Sequence, residues 1–367
     1  MKSMYTIKGV PVLIFSIWFG ICIGNVCSPD TNTIESGVRN YTHAEQSVLN
    51  VYAWIDYLDP KIISDFEKEF RVKVHVDFYE DEEEMFSAVQ SDHGQYDVVF
   101  PTDYMADLMM KTNLLLKLDL DQIPNIQNIE SRFKTLINKK WKGYFVTLDW
   151  GGVGIAYNSK YVKETIDSWR IFLDTKYKGQ MALVNNGNEV MSIGQKLLGY
   201  PLNPTDPKVM DEALKILKKI KPLLQNEKFM AYNKIRERLI SEELWIAQCY
   251  NADASIANEE NHAVKFVIPK EGTGYWVEGM AVPVGVKNKT LAEAFLNFML
   301  HPEISARHTN YSHYANCNNK AWAFVDKGIL RNPYIYMKVA GKFDIYEILK
   351  PDVQQKFNEC WAELISD

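Results

Sequence analysis

Apolar positions in residues 48–101 change period several times. Val48-Leu49-Asn50-Val51-Tyr52 is a short apolar run that predicts a buried strand. Ile62, Ile63, Phe66 and Phe70 follow at helical spacing, so Pro60 to Phe70 predicts a helix. Val72, Val74, Val76 and Phe78 then alternate with polar residues, the period of a strand with one inward face. Glu82 to Val89 predicts a second short helix, and Tyr96 to Pro101 a third strand with a sharp stop. Strand–helix–strand–helix–strand predicts an open α/β sheet, in which ligands lie beyond the C-terminal ends of the strands.

A second α/β segment follows. Met181 to Val184 and Val264 to Ile268 read as strands, and Trp245 to Cys249 as a buried apolar run. Leu214, Leu217 and Ile220 mark an amphipathic helix; Leu291 to Leu300 and Val353 to Ile365 also have helical spacing. At 367 residues the chain is long enough for two lobes, each with its own core.

Five polar-aromatic clusters fall at predicted strand ends: Trp54/Asp56/Tyr57, Thr102/Asp103/Tyr104, Asn186/Glu189, Tyr250/Asn251/Asp253 and Trp276/Glu278. Singly, each has an ordinary explanation. Thr102 or Asp103 would cap a helix, and Asn186-Gly187 would make a turn. Together they would line one crevice with carboxylates and aromatic faces. An organic cation needs both, because ring quadrupoles attract the charge and a carboxylate neutralises it.

Composition narrows the alternatives. A net charge of −6 supplies no basic face for nucleic acid. His308 and His313, five apart, do not share a helix face, and no Cys lies at zinc spacing. No Gly-x-Ser-x-Gly elbow, P-loop or complete dinucleotide fingerprint is present, so neither a metal nor a cofactor is expected. Lys2 and Lys8 precede an uncharged apolar run, Val10 to Cys22, which is the layout of an export signal over residues 1–27. Cys27 is a candidate for lipidation, ordinary cleavage and an uncleaved anchor being the alternatives; the polar stretch 28–46 would be a tether. Cys249, Cys317 and Cys360 are odd in number and lack a Cys-x-x-Cys, so no disulfide framework is expected.

The clusters, in this order, resemble the bacterial periplasmic spermidine/putrescine-binding proteins, the substrate-binding proteins of polyamine ABC transporters. The similarity runs from about Val48 to Leu364. It is carried by Trp54-x-x-Tyr57, Tyr96-Asp97-Val98-Val99-Phe100-Pro101-Thr102-Asp103-Tyr104, the run Asp149 to Asn158, and Pro269-Lys270-Glu271-Gly272 followed by Trp276-x-Glu278. The resemblance implies a two-lobed periplasmic binding protein fold of type II, each lobe an open α/β sheet, with the ligand cleft between them. It implies lobes at about 47–148 plus 278–322 and 153–274 plus 326–367, hinged near Trp150, Tyr275 and Ala323.

Carried over by position, the implied ligand residues are Trp54, Asp56, Tyr57, Thr102, Tyr104, Asn186, Glu189, Tyr250, Asp253, Trp276, Glu278, Tyr314 and Glu347. Thr102 replaces a usual Ser, Tyr250 a Trp, Glu278 an Asp, and Glu347 the Gln of spermidine-binding relatives. Asn186 stands where spermidine-binding relatives carry Asp, whereas Asp253 matches an acid of the putrescine-binding ones, so the choice of polyamine stays open. The implied partners are a polyamine, an ABC permease and its ATPase; the implied place is the periplasm, with membrane contact only through a lipid anchor. Two other readings are a polyamine sensor for a membrane partner and an enzyme on the same architecture, using a residue such as Cys249.

Overall fold

The computed structural model describes residues 47–91, 93–337 and 344–366. The signal, tether and Cys27 expectations all fall on residues 1–46, outside the described residues. Ten strands are found among the latter: β1 Val48–Trp54, β2 Lys73–Tyr79, β3 Val98–Val99, β4 Val146–Asn158, β5 Met181–Val184, β6 Phe229–Met230, β7 Ile246–Tyr250, β8 Val264–Val267, β9 Tyr275–Met280 and β10 Ala315–Asn316. The helices that matter here are α1 Pro60–Phe70, α2 Glu82–Ser91, α3 Asp103–Lys111, α4 Ser131–Lys139, α5 Gly187–Leu197, α6 Lys208–Ile220, α7 Tyr232–Ile240 and α8 Asn251–Glu260.

The first sheet is parallel, in the order β2-β1-β3, with Val51 opposite both Val76 and Val98. Helix α1 returns the chain between β1 and β2. Asp59 caps it by accepting from the Lys61 N–H at 2.8 Å, Pro60 takes the first turn, and Arg71 ends it in the left-handed region at φ 54°. Ile62 and Phe66 are buried, as the spacing predicts, while Phe70 stays at the surface. In β2 the expected alternation fails at its end. Phe78 is 51% exposed and Tyr79 is buried, its hydroxyl donating to the Phe100 carbonyl. β2 is an edge strand, and the Tyr79 hydroxyl gains a buried acceptor by turning inward, which the Phe78 ring could not use.

The second sheet runs β10-β4-β7-β5-β6, with β8 and β9 also on β4. Strand β4 organises it. Val146 to Gly152 pair with β9, and Val153 to Tyr157 pair with β7, both antiparallel. The partner therefore changes between Gly152 and Val153. The sequence pattern does not reveal this thirteen-residue strand, because it is buried on both faces and interrupted by Gly151, Gly152 and Gly154. Gly151 is required by close approach: a Cβ there would lie 2.2 Å from the Trp276 ring and 2.4 Å from Asn251 Oδ1.

Candidate functional site

The clusters converge where the end of β1, the start of α3 and strand β9 meet. Thr102 caps α3 by accepting from the Met105 N–H and bridges backbone to backbone with Glu278. Its own N–H and hydroxyl donate to Glu82 at 2.7 and 2.9 Å, tying α2 to α3. Asp103, the next residue, is 1% exposed, and its Oδ1 accepts from the Val277 N–H at 3.2 Å. That peptide lies between the side chains of Trp276 and Glu278. Glu278 is 5% exposed, and its Oε1 has no hydrogen-bond partner among the described residues. Burial pushes its carboxyl well above the ordinary range, and the charges of Asp149, Glu82 and Asp103 add to this. The Trp54 indole works against them from nearby, but falls short of a normal hydrogen bond.

A second acid comes from the other sheet. Asn186 caps α5 by accepting from the Glu189 N–H at 3.2 Å, which sets Glu189 in the first turn. Glu189 is 4% exposed and accepts the Tyr346 hydroxyl at 2.8 Å. Burial raises its carboxyl to about 8 against that hydrogen bond, with a further push from Asp103. Tyr346 packs on the backbone of Gly274, just before β9, and a cavity beside it is lined by Asn188, Asn203 and, from α3, Tyr104. Neither Glu189 nor Glu278 forms an ion pair with a cationic side chain among the described residues.

The aromatic walls are buried or half-buried. The Trp276 and Tyr314 rings meet edge to face at 4.8 Å, and Trp54 lies 4.6 Å from Tyr79. Tyr250, at the end of β7, stands near enough to Glu189, Asp253 and Glu82 for their charges, after burial, to raise its hydroxyl well above the usual range.

Other expected site residues lie elsewhere or are already engaged. Tyr57 is buried, and its hydroxyl donates to Asp149 Oδ2 at 2.9 Å; His308 Nε2 sits on the same oxygen at 2.9 Å. Asp56 is exposed at the rim, where its charge reaches Tyr232 and Tyr311. Asn186 is exposed and occupied as a cap. Asp253 is held by Arg236 Nη1 at 2.8 Å, although burial still lifts its carboxyl to about 6. Glu347 is exposed; its neighbour Tyr346 points inward. Sequence reasoning missed Tyr346, Glu82 and Tyr79 altogether; it placed Asp103 in a cluster at a strand end, with a helix cap as the ordinary alternative, but not among the implied ligand residues. An aromatic beside a matched position was the one available signal, and it favours Tyr346.

Two α/β sheets with buried acids and indole rings close to one another define a small-molecule binding protein. The comparisons agree: the model of the bacterial extracellular solute-binding proteins matches residues 61–329, and the chain belongs to that family. Its fold is the two-lobed α/β fold of type II periplasmic binding proteins. The spermidine/putrescine-binding periplasmic protein of Salmonella typhimurium is 30% identical over 267 residues, 71% of this chain and 75% of its own. The putrescine-binding periplasmic protein SpuD of Pseudomonas aeruginosa is 27% identical over 344 residues, 88% of this chain and 93% of its own. The spermidine/putrescine ABC transporter substrate-binding protein PotD of Streptococcus pneumoniae superposes with a TM-score of 0.76 at 27% identity, covering 87% of this chain and 98% of that one. No described helix is long and apolar enough to cross a membrane.

Proposed function

We propose that this protein captures a polyamine in the periplasm, between lobes 47–148 plus 278–322 and 153–274 plus 326–367, and presents it to an ABC importer. One observation carries the reading: Glu189 and Glu278 are buried, uncompensated by any cationic side chain among the described residues, and walled by Trp276, Trp54 and Tyr250. Burying a lone carboxylate costs several kcal/mol even after relaxation, roughly as much as burying a lone ammonium. A ligand with separated ammonium groups offsets both penalties at once, and alkylamines, like Lys, hold their protons up to roughly pH 10. The names of the Salmonella, Pseudomonas and Streptococcus relatives point the same way.

No chemical step is required. Cys249, the nucleophile of an enzymatic alternative, is 1% exposed, and burial first, then the Asp253 charge, pushes its thiol well up. A thiol held protonated is a poor nucleophile. The pairing of Asp253 with Arg236 weakens its claim as an amine partner and leaves putrescine and spermidine both as ligands to test.

Calorimetry on ligand-stripped protein with putrescine, cadaverine, spermidine and spermine tests the reading directly; no heat of binding with any of them would end it. Trp276→Ala should weaken the preferred amine by about 0.5–2 kcal/mol. A loss below a few tenths would remove Trp276 as a wall of the cleft.

The raised carboxyl of Glu189 also sets a pH dependence. Without ligand its folded value, about 8, lies above the unfolded one, roughly 4.3. The folded state then holds a proton that the unfolded state releases, so this contribution to stability is full below the unfolded value and disappears as pH rises toward 8. The Tm of ligand-free protein should therefore fall from pH 5 to pH 8. Saturating polyamine should flatten that slope, because the bound ammonium keeps Glu189 ionised. Affinity should rise over the same window, with protons released on binding. An affinity that is flat from pH 5.5 to 8 would contradict the assignment of Glu189.

A further inference from the structure

The family resemblance does not supply all the acid at this cleft. Asp103 opens α3 and Glu82 opens α2. Both oxygens of Glu82 are occupied by Thr102. Asp103 differs: Oδ1 is held by the Val277 N–H, while Oδ2 is buried with no hydrogen-bond partner among the described residues. An Asp in the first turn of a helix normally serves that helix. Here Thr102 already caps α3, and the Asp103 side chain bonds to β9 instead.

Its charge reaches both acids of the cleft, Glu189 and Glu278. The peptide it holds joins Trp276 to Val277, one residue before Glu278. The next residue, Tyr104, lines the cavity beside Tyr346, which donates to Glu189. The Nε1 of Trp276 and Oε1 of Glu278, on either side of the Val277 N–H that Asp103 holds, are also buried without partners among the described residues. Among the described residues no three acid, His or Cys side chains converge closely enough to hold one metal ion. The negative charge is spread over three elements, α3, α5 and β9, an arrangement suited to nitrogens separated by methylenes.

We propose that Asp103 is a third ligand-binding carboxylate, taking a polyamine nitrogen between Glu189 and Glu278, with Glu82 positioning the Thr102–Asp103 turn. The proposal rests on the polyamine reading and adds a selectivity: three acids favour a ligand of higher charge, because one ammonium would leave two carboxylates uncompensated. A monoamine such as butylamine should therefore bind far more weakly than spermidine.

The test is Asp103→Asn in the full chain. Asn keeps an oxygen for the Val277 N–H and removes only the charge. Spermidine affinity by calorimetry should fall more than about tenfold, and more than that for putrescine. The Tm without ligand should stay the same or rise, since an acid whose ionisation burial opposes has gone. Proton release gives a third readout. The groups facing Asp103 are Glu82 on α2, Asp107 on its own helix, Lys140 just after α4, Glu189 on α5 and Glu278 on β9. Burial, opposed by Lys140 and the Val277 N–H, leaves the Asp103 carboxyl at about 7. The variant should thus release roughly half a proton fewer on binding at pH 7.

Spermidine affinity unchanged in the variant overturns the proposal. So does weakened binding accompanied by a lower ligand-free Tm, which would make Asp103 a structural tie between α3 and β9. If wild-type protein binds no polyamine at all, the broader reading has failed; if wild type binds and the variant binds equally well, only the role of Asp103 has.

Discussion

Replacing Glu278 by Gln should weaken polyamine binding by more than about tenfold while raising the stability of ligand-free protein. The two effects have one cause. Glu278 sits on β9 opposite Asp149 in the register, with Asp103 and Glu82 nearby. Burial and those neighbours oppose its ionisation, so without ligand its carboxyl is held protonated well above the ordinary range. An incoming ammonium displaces that proton and pairs with the charge. Gln keeps the volume and one acceptor oxygen but offers no charge, so the ammonium would be buried against a dipole alone. The ligand-free variant no longer carries an acid in a site that penalises it, so its Tm at pH 8 should rise. Titration calorimetry beside thermal unfolding checks both. Unchanged affinity would remove Glu278 as an amine partner.

Gly151→Ala should damage both stability and binding without touching a charge. The added Cβ would stand 2.2 Å from Trp276 Cζ2, 2.7 Å from Cε2 and 2.4 Å from Asn251 Oδ1. None of these atoms is free to retreat. The indole is buried and packed edge to face on Tyr314. Asn251 accepts from the Gly152 N–H at 3.1 Å and donates to the Tyr334 carbonyl at 3.1 Å. Overpacking of this kind typically costs about 1–3 kcal/mol, which for a chain of this size lowers Tm by roughly 1–4 °C. Polyamine affinity should fall by up to as much as in Trp276→Ala, about 0.5–2 kcal/mol, because the wall that moves is Trp276. Gly328→Ala, where a Cβ meets nothing within 4 Å, should leave both unchanged. Equal behaviour of the two variants would show that the approach at Gly151 is not tight.

Legibility from the sequence followed the physics of each element. α1 was readable because its cap, its Pro and its apolar stripe agree. β5 was readable because four apolar residues end at turn chemistry. β4 was not, since a strand buried on both faces has no alternation and three glycines hide it. At the cleft, Trp276 and Glu278 were readable as the Trp276-x-Glu278 pair of the resemblance, although strand β9 that carries them was not. Glu189 was readable from its cluster with Asn186, which was read as a turn and proves to be the cap of α5. Tyr57 carries the same side-chain chemistry, yet its hydroxyl is turned into the core by Asp149 and His308, residues about 90 and 250 positions away in the chain.

The order of residues along the chain determined the α/β class, the places where strands end, and the stock of acids and rings available to meet a cation. These are local properties, set by period, caps and composition. Only tertiary structure decided which of those groups remain unpaired. Asp253 is neutralised by Arg236 from a neighbouring helix, Glu347 yields to Tyr346 by one residue of register, and Asp103 gains a role because β9 passes beside the start of α3. Burial and charge neighbours are long-range quantities. They fix whether a carboxylate is a surface ion, half of an internal pair, or a vacancy for a ligand's charge.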